Sequence, residues 1–229
     1  RIQNRGGKGI KGMQTREEDV VTKLFLSSNH SYLLYFTDMG RVYRPKTYNI
    51  PEAGRTAKGT PVVNIIEKSP EEKISEIIPV KEFSDNEYLV MVTKNGIIKK
   101  TPASEYESIR KSGKIAITLK EGDELISIFK TTGNDNIFLA TRNGMAICFN
   151  ENDARAVGRT ASGVKAIDLA DGDYVVGAEP VREDSKVLLV TDGGYGKCTD
   201  LTSFRIQHRG GKGLKAYKIT EKTGNIIGI

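Results

Sequence analysis

Tryptophan is absent from the sequence, cysteine and histidine occur twice each, and aromatic residues make up only 7% of the 229 positions. Several chemistries drop out at once. Cys148 and Cys198 are 50 residues apart, the interval of a repeat that runs through the chain, so they are expected as small buried hydrophobes at equivalent positions, not as a disulfide or metal ligands. His30 lies in a Ser-Asn-His-Ser turn, and no Gly-Lys-Ser or Gly-Lys-Thr follows a phosphate-loop spacing. No catalytic residue, metal site or cofactor is read from the chain. It also lacks any run near the roughly 18 apolar residues of a membrane span, and Arg1-Ile2-Gln3-Asn4 has no apolar signal core, so a soluble, intracellular protein is expected.

What the sequence does have is glycine, 24 of them, and an excess of cations: 35 Lys and Arg against 29 acids, net +6, pI near 9.1. A basic balance points weakly to a polyanionic partner. The glycines carry more information. Gln3-Asn4-Arg5-Gly6-Gly7-Lys8-Gly9 returns as Gln207-His208-Arg209-Gly210-Gly211-Lys212-Gly213, and the loop glycines Gly9, Gly59, Gly113, Gly163 and Gly213 fall 50, 54, 50 and 50 residues apart. Five copies share one frame. Four positions before these glycines stand Arg5, Arg55, Ile109, Arg159 and Arg209; in the third copy the cation moves to Arg110, beside Lys111. Such loops suit positive φ and a close approach of backbone to a partner.

A second marker is a four-residue turn after an apolar run: Thr37-Asp38-Met39-Gly40, Thr93-Lys94-Asn95-Gly96, Thr141-Arg142-Asn143-Gly144 and Thr191-Asp192-Gly193-Gly194. Asn-Gly between apolar runs signals a hairpin with a type I′ turn. The flanking runs are too short for helices, and the best helical candidates, near 101–109 and 69–76, are one or two turns. An all-β chain is expected, with four strands per repeat and 18 in total, or about four and a half blades of a propeller-like ring or open arc. Eight residues after each loop glycine comes an acid, Glu17, Glu67, Glu121, Asp171 and Glu221. A seven-residue strand between them would hold cationic loops and acidic turns roughly 25 Å apart, at opposite ends of that strand.

The cations would then line one rim: Arg5, Lys8, Arg55, Lys58, Arg110, Lys111, Lys114, Arg159, Arg209 and Lys212, with Lys99, Lys100, Lys165, Lys197, Lys215 and His208 contributing. The pattern has no recognition helix, zinc-finger spacing or paired aromatics to stack single-stranded bases, so duplex DNA bent along the rim is the expected ligand. Alanine at Arg5, Lys8, Arg209 and Lys212 is expected to abolish bending and leave thermal stability nearly unchanged.

The stretch from Gln3 through Gly9 closely resembles the box QRRGGKG of the C-terminal domain of the DNA gyrase A protein, with Asn4 where the family box usually has arginine. The degenerate repeats and Thr-x-x-Gly turns extend the resemblance over 1–229, as one β-pinwheel domain of a longer polypeptide, since the family usually has six blades. The resemblance implies that the box residues Gln3, Asn4, Arg5, Gly6, Gly7, Lys8 and Gly9 contact duplex DNA. It also implies wrapping of positive handedness, which hands a neighbouring segment to the strand-passage core of the gyrase A protein. A tetramer of two gyrase A and two gyrase B proteins then introduces negative supercoils. Catalytic tyrosine, Mg2+ and ATP belong elsewhere in that holoenzyme, so this domain is expected to be non-catalytic, cofactor-free and cytoplasmic, with the nucleoid. The equivalent domain of topoisomerase IV, or a propeller-type module docking an acidic protein, remain alternatives.

Overall fold

The computed structural model describes residues 4–9, 12, 13, 15, 19–45, 47–54 and 56–229. Each Thr-x-x-Gly motif closes a hairpin: β1 (Tyr32–Thr37) with β2 (Arg41–Tyr43), β4 (Tyr88–Thr93) with β5 (Ile97–Pro102), β8 (Asn136–Thr141) with β9 (Met145–Asn150), and β12 (Lys186–Thr191) with β13 (Gly196–Asp200). The turn is not type I′. The closing glycines Gly40, Gly96, Gly144 and Gly194 alone take positive φ, and Asn95 and Asn143 do not, which is the three-residue loop with a glycine bulge. The recurrent threonine has its own reason: Thr37, Thr93, Thr141 and Thr191 are buried, and each hydroxyl accepts from the backbone N–H four residues on, at 3.2–3.3 Å.

Around each hairpin a further strand packs on the inner edge and, in three sheets, a two-residue strand on the outer edge. β3 (Ile74–Val80), β1, β2 and β6 (Lys114–Ile115) form the first sheet; β7 (Leu125–Thr131), β4, β5 and β10 (Val164–Lys165) the second; β11 (Val175–Pro180), β8, β9 and β14 (Leu214–Lys215) the third. The fourth, among the described residues, has β15 (Ile226–Gly228), β12 and β13. All pairings between named strands are antiparallel. The outer strand comes from the repeat after the hairpin it pairs with, so every sheet that has one is stitched across a repeat boundary. Among the described residues there are 15 strands, not 18. The stretch 21–27 forms none, the stretch 60–66 holds a short 3-10 turn at Val62–Asn64, and the strand expected after Gly9 falls partly outside the described residues.

The sheets stack in a row with a core between each pair. Leu89 and Met91 of β4 pack with Leu34 and Phe36 of the first sheet, while Val90 and Val92, on the other face, pack with Ile137 and Leu139 of the third. A strand covered on both sides has no polar face, so these runs read as continuously apolar where an exposed strand would alternate. At the end of the row alternation returns. Leu188 in β12 is 52% exposed and Cys198, opposite it in β13, is exposed too, because nothing among the described residues covers that face. Cys148 meets the expectation of a buried hydrophobe, its thiol pushed up to about 11 by desolvation, and Cys198 departs from it.

Candidate nucleic-acid interface

All five loop glycines, Gly9, Gly59, Gly113, Gly163 and Gly213, have positive φ. In the last three, the close approach this permits is first of all to the protein itself. A Cβ at Gly213 would overlap the Ala146 carbonyl oxygen, one at Gly163 that of Ile98, and one at Gly113 would stand 2.6 Å from the Tyr43 ring. Each of these glycines thus lets its loop lie against the hairpin of the preceding sheet and start the outer strand there, with Val164 opposite Ile98 and Leu214 opposite Ala146.

The loops are also tied to one another. Arg159 donates through Nη1 to the Ile115 carbonyl, and Arg209 donates through Nη1 to Lys165 O at 2.9 Å, the same step one repeat later. Thr118 N–H reaches Ala161 O at 3.3 Å and Asp168 N–H reaches Gly211 O at 2.9 Å, again in register. Successive loops therefore run as one ribbon along the outer edges of the sheets. Arg209 has further partners: its Nε donates to Asp153 O at 2.7 Å, and its backbone N–H to Asp153 Oδ2 at 3.1 Å. The box arginine is a structural tie as well as a cation, against the expectation that alanine would leave stability unchanged.

Along this ribbon Arg110, Lys111, Lys165 and Lys212 carry charge at the surface beside Lys215 and His208, and Arg159, Arg209 and Lys114 reach the surface from closer packing. Lys165 pairs with Asp168 at 2.9 Å, which holds that carboxyl below its ordinary value. Asn4, Arg5, Gly6, Gly7, Lys8 and Gly9 form an exposed turn closed by Gly7 N–H to Asn4 O at 3.1 Å; Lys58 and Lys197 are exposed as well. Gln3 and Arg55 lie outside the described residues. The third copy shows why its cation moved: Ile109 is a core residue between the first two sheets, and Arg110 takes the surface.

Two expected contributors are corrected. Lys99 is 1% exposed and Lys100 4%, so neither can meet a ligand at the rim. Lys100 forms an ion pair with buried Glu151 at 2.9 Å under the Tyr88 ring; Lys99 is occupied by backbone carbonyls. The strand character of β5 was legible, but both of its faces are covered.

The expected segregation of charge also changes. The expected seven-residue strand is two residues long in β6, β10 and β14, so no straight strand separates loops from acidic turns. Glu67, the acid of the second copy, pairs with Lys111 of the third loop at 3.0 Å. Beside the remaining acids, Asp123 Oδ1 accepts from Asn95 N at 2.9 Å and Asp173 Oδ1 from Asn143 N at 3.0 Å. These two carboxylates fasten the hairpin turns of the sheets whose inner strands, β7 and β11, they directly precede. The signal missed in the sequence was Asp153, which looks like any polar residue after β9.

Comparison with known proteins gives a consistent picture. A family model described as DNA gyrase C-terminal domain, beta-propeller, matches residues 1–28, 31–81, 87–132, 135–182 and 185–229. The chain is 53% identical over 163 residues to the DNA gyrase A protein of Clostridium acetobutylicum, covering 71% of the chain and 20% of that protein. It therefore spans about a fifth of the length of such relatives. Among solved structures it is similar to the C-terminal domain of DNA topoisomerase IV, with TM-score 0.84 and 28% identity, covering 94% of this chain and 68% of that one. It is also similar to the DNA gyrase A C-terminal domain, with TM-score 0.78 and 26% identity, covering 99% and 74%.

Proposed function

Because the chain belongs to the DNA gyrase C-terminal domain family, we propose that it binds duplex DNA along the outer ribbon of loops and wraps it with positive handedness. A tetramer of two gyrase A and two gyrase B proteins, with ATP hydrolysed on gyrase B, then introduces negative supercoils. The observation that carries this reading is the register of the loops: Arg159 and Arg209 make the same step onto the preceding loop, so the cations around them recur along one edge. A duplex following that edge meets a recurring cation rather than a groove-reading element. Each neutralised phosphate releases counterions, so affinity should fall steeply with salt and depend little on sequence. Bending a site of roughly 20–30 base pairs costs on the order of 1–6 kcal/mol, which the added phosphate contacts must offset.

The likeness to the topoisomerase IV domain in TM-score supports a second reading, the equivalent domain of that enzyme. Against it stand the two boxes at residues 3–9 and 207–213 and the 53% identity to a gyrase A protein. Ligating nicked plasmid on this protein and then removing it should leave a positive linking-number shift that grows with protein added. An unshifted distribution, with DNA bound, overturns wrapping in the gyrase sense.

A further inference from the structure

A lysine is rarely buried without a carboxylate to answer it. Lys100 has Glu151; Lys99, its neighbour in β5, has no ion-pair partner among the described residues. Its ammonium instead donates to three backbone oxygens: Ala116 O at 2.5 Å, Gly158 O at 3.4 Å and Arg159 O. Three donors meet three acceptors. The acceptors belong to two successive loops, since Ala116 follows the outer strand begun by Gly113 and Gly158 and Arg159 lie in the next loop. The Arg159 guanidinium crosses the same junction in the other direction to Ile115 O.

The fold itself does not need a lysine there. In the third sheet the same register position, one after the residue facing the outer strand, is Ile147, buried at 1%. Its loop is held by another device, Asp153, which binds the Arg209 backbone N–H and Nε. The residue at the corresponding place after β5 is Glu105, and the Arg159 side chain has only the bond it donates to Ile115 O, the match of Arg209 to Lys165 O, among the described residues. In the fourth sheet Lys197 occupies the Lys99 position; it reaches Ala216 O at 3.2 Å and is exposed, with no following loop over it among the described residues. The ammonium is thus enclosed only where a loop covers it.

We propose that Lys99 is a positioning residue for the rim: its ammonium bolts the Gly158–Arg159 loop to the preceding outer strand, so that the Arg159 loop is presented in line with its neighbours. This rests on the DNA-wrapping reading for its consequence, though the bolt is a property of the protein alone. The charge on the bolt is sensitive to pH. Burial first, and then the Arg159 guanidinium, hold the Lys99 pKa down to about 7, with Glu105 acting the other way; the Tyr106 hydroxyl shares the Ala116 oxygen at 3.1 Å. An uncovered lysine keeps its proton far above pH 7 and the covered one gives it up there, so closure of the loop over Lys99 gains as pH rises, the neutral amine still donating two N–H groups to the carbonyls.

The test uses the full chain and Lys99→Ile, the residue the third sheet carries there, with Lys99→Met as a second variant should the first fail to fold. The slope of log affinity against log salt is measured on a labelled duplex for wild type, Lys99→Ile, Arg159→Ala and the double variant. Each single change should reduce the slope by about 1, near the value for one phosphate, and the double should lose no more than either single change. Wild-type bending should rise between roughly pH 6 and 8.5, the direction in which covering a lysine of depressed pKa is favoured, and that of Lys99→Ile should not change with pH; a fall in wild type overturns the proposal. Additive losses, or an unaltered slope in a folded variant, overturn the proposal. If wild type does not bind DNA, the wrapping reading fails; amide exchange at Thr118 and Ala161 still decides the bolt, accelerating severalfold in Lys99→Ile if it holds the loop and staying as in wild type if it does not.

Discussion

The seven-residue box occurs twice, and its two copies sit in different surroundings. Locally they agree: Gly6 and Gly9 have φ of 85° and 74°, Gly210 and Gly213 of 82° and 76°. Their neighbourhoods differ. In the later copy a Cβ at Gly213 would overlap Ala146 O, while in the earlier one a Cβ at Gly6 or Gly9 would meet none of the described residues within 4 Å. Arg209 is bonded to Asp153 and Lys165; Arg5 stands on an exposed turn. The glycines of the box therefore meet two separate demands, the turn's own positive φ and clearance for the hairpin beneath, and among the described residues only the later copy displays the second.

The largest effect that would break this comparison is at the loop glycine. Gly213→Ala carries both the left-handed strain and an overlap with backbone that cannot swing aside, so it should destabilise by on the order of 3 kcal/mol or more. Gly59→Ala, at a loop glycine with φ of 72° and no described residue within 4 Å of the added Cβ, carries the strain without that overlap, about 1–2 kcal/mol at most and less if the turn relaxes. Urea unfolding of the two variants checks this, and equal losses would mean that the hairpin contact contributes nothing.

The arginines give the next smaller difference. Arg209→Ala removes the donors to Asp153 O and Lys165 O, and should cost about 1–3 kcal/mol of stability. Arg5→Ala should leave the unfolding midpoint unchanged. Both variants should lower the salt slope of DNA affinity by about 1. If Arg209→Ala kept full stability, the loop ribbon would be held by its other bonds and the arginine would be a surface cation only.

Much of this was legible in the sequence for a physical reason: the features that recur about every 50 residues are those dictated by backbone geometry, which is the same in each repeat. Positive φ demands glycine at Gly59, Gly113, Gly163 and Gly213, and the hairpin demands a buried hydroxyl at Thr37, Thr93, Thr141 and Thr191, so both could be found by period alone. What could not be found is what differs between repeats. Lys99 and Arg159 share a charge and a rim assignment, yet one is enclosed by carbonyls and the other lies at the surface, because burial depends on which loop of the next repeat closes over β5. Asp153 holds its loop through Arg209, and no spacing marks it out from Glu105 at the same place one repeat earlier. The length of the outer strands was misjudged for a similar reason: they pair with a hairpin from another repeat, and the contact ends after two residues, where Ala116, Ala166 and Ala216 turn in to bond Gly40, Gly96 and Gly144.

The smallest difference lies at the second box position, Asn4 in one copy and His208 in the other. The His208 side chain is fully exposed, its Nδ1 3.3 Å from Asp153 Oδ2, and that oxygen already accepts from the Arg209 N–H at 3.1 Å. An exposed pair of this kind adds little, since holding a mobile side chain in place offsets most of the attraction in water. His208→Asn, which makes the later copy read like the earlier one, should leave the thermal midpoint within measurement error and the salt slope as in wild type. A clear fall in the midpoint would place the imidazole among the ties that dock the loop on Asp153, and the docking would then depend on box sequence as well as on the glycine clearance and the arginine.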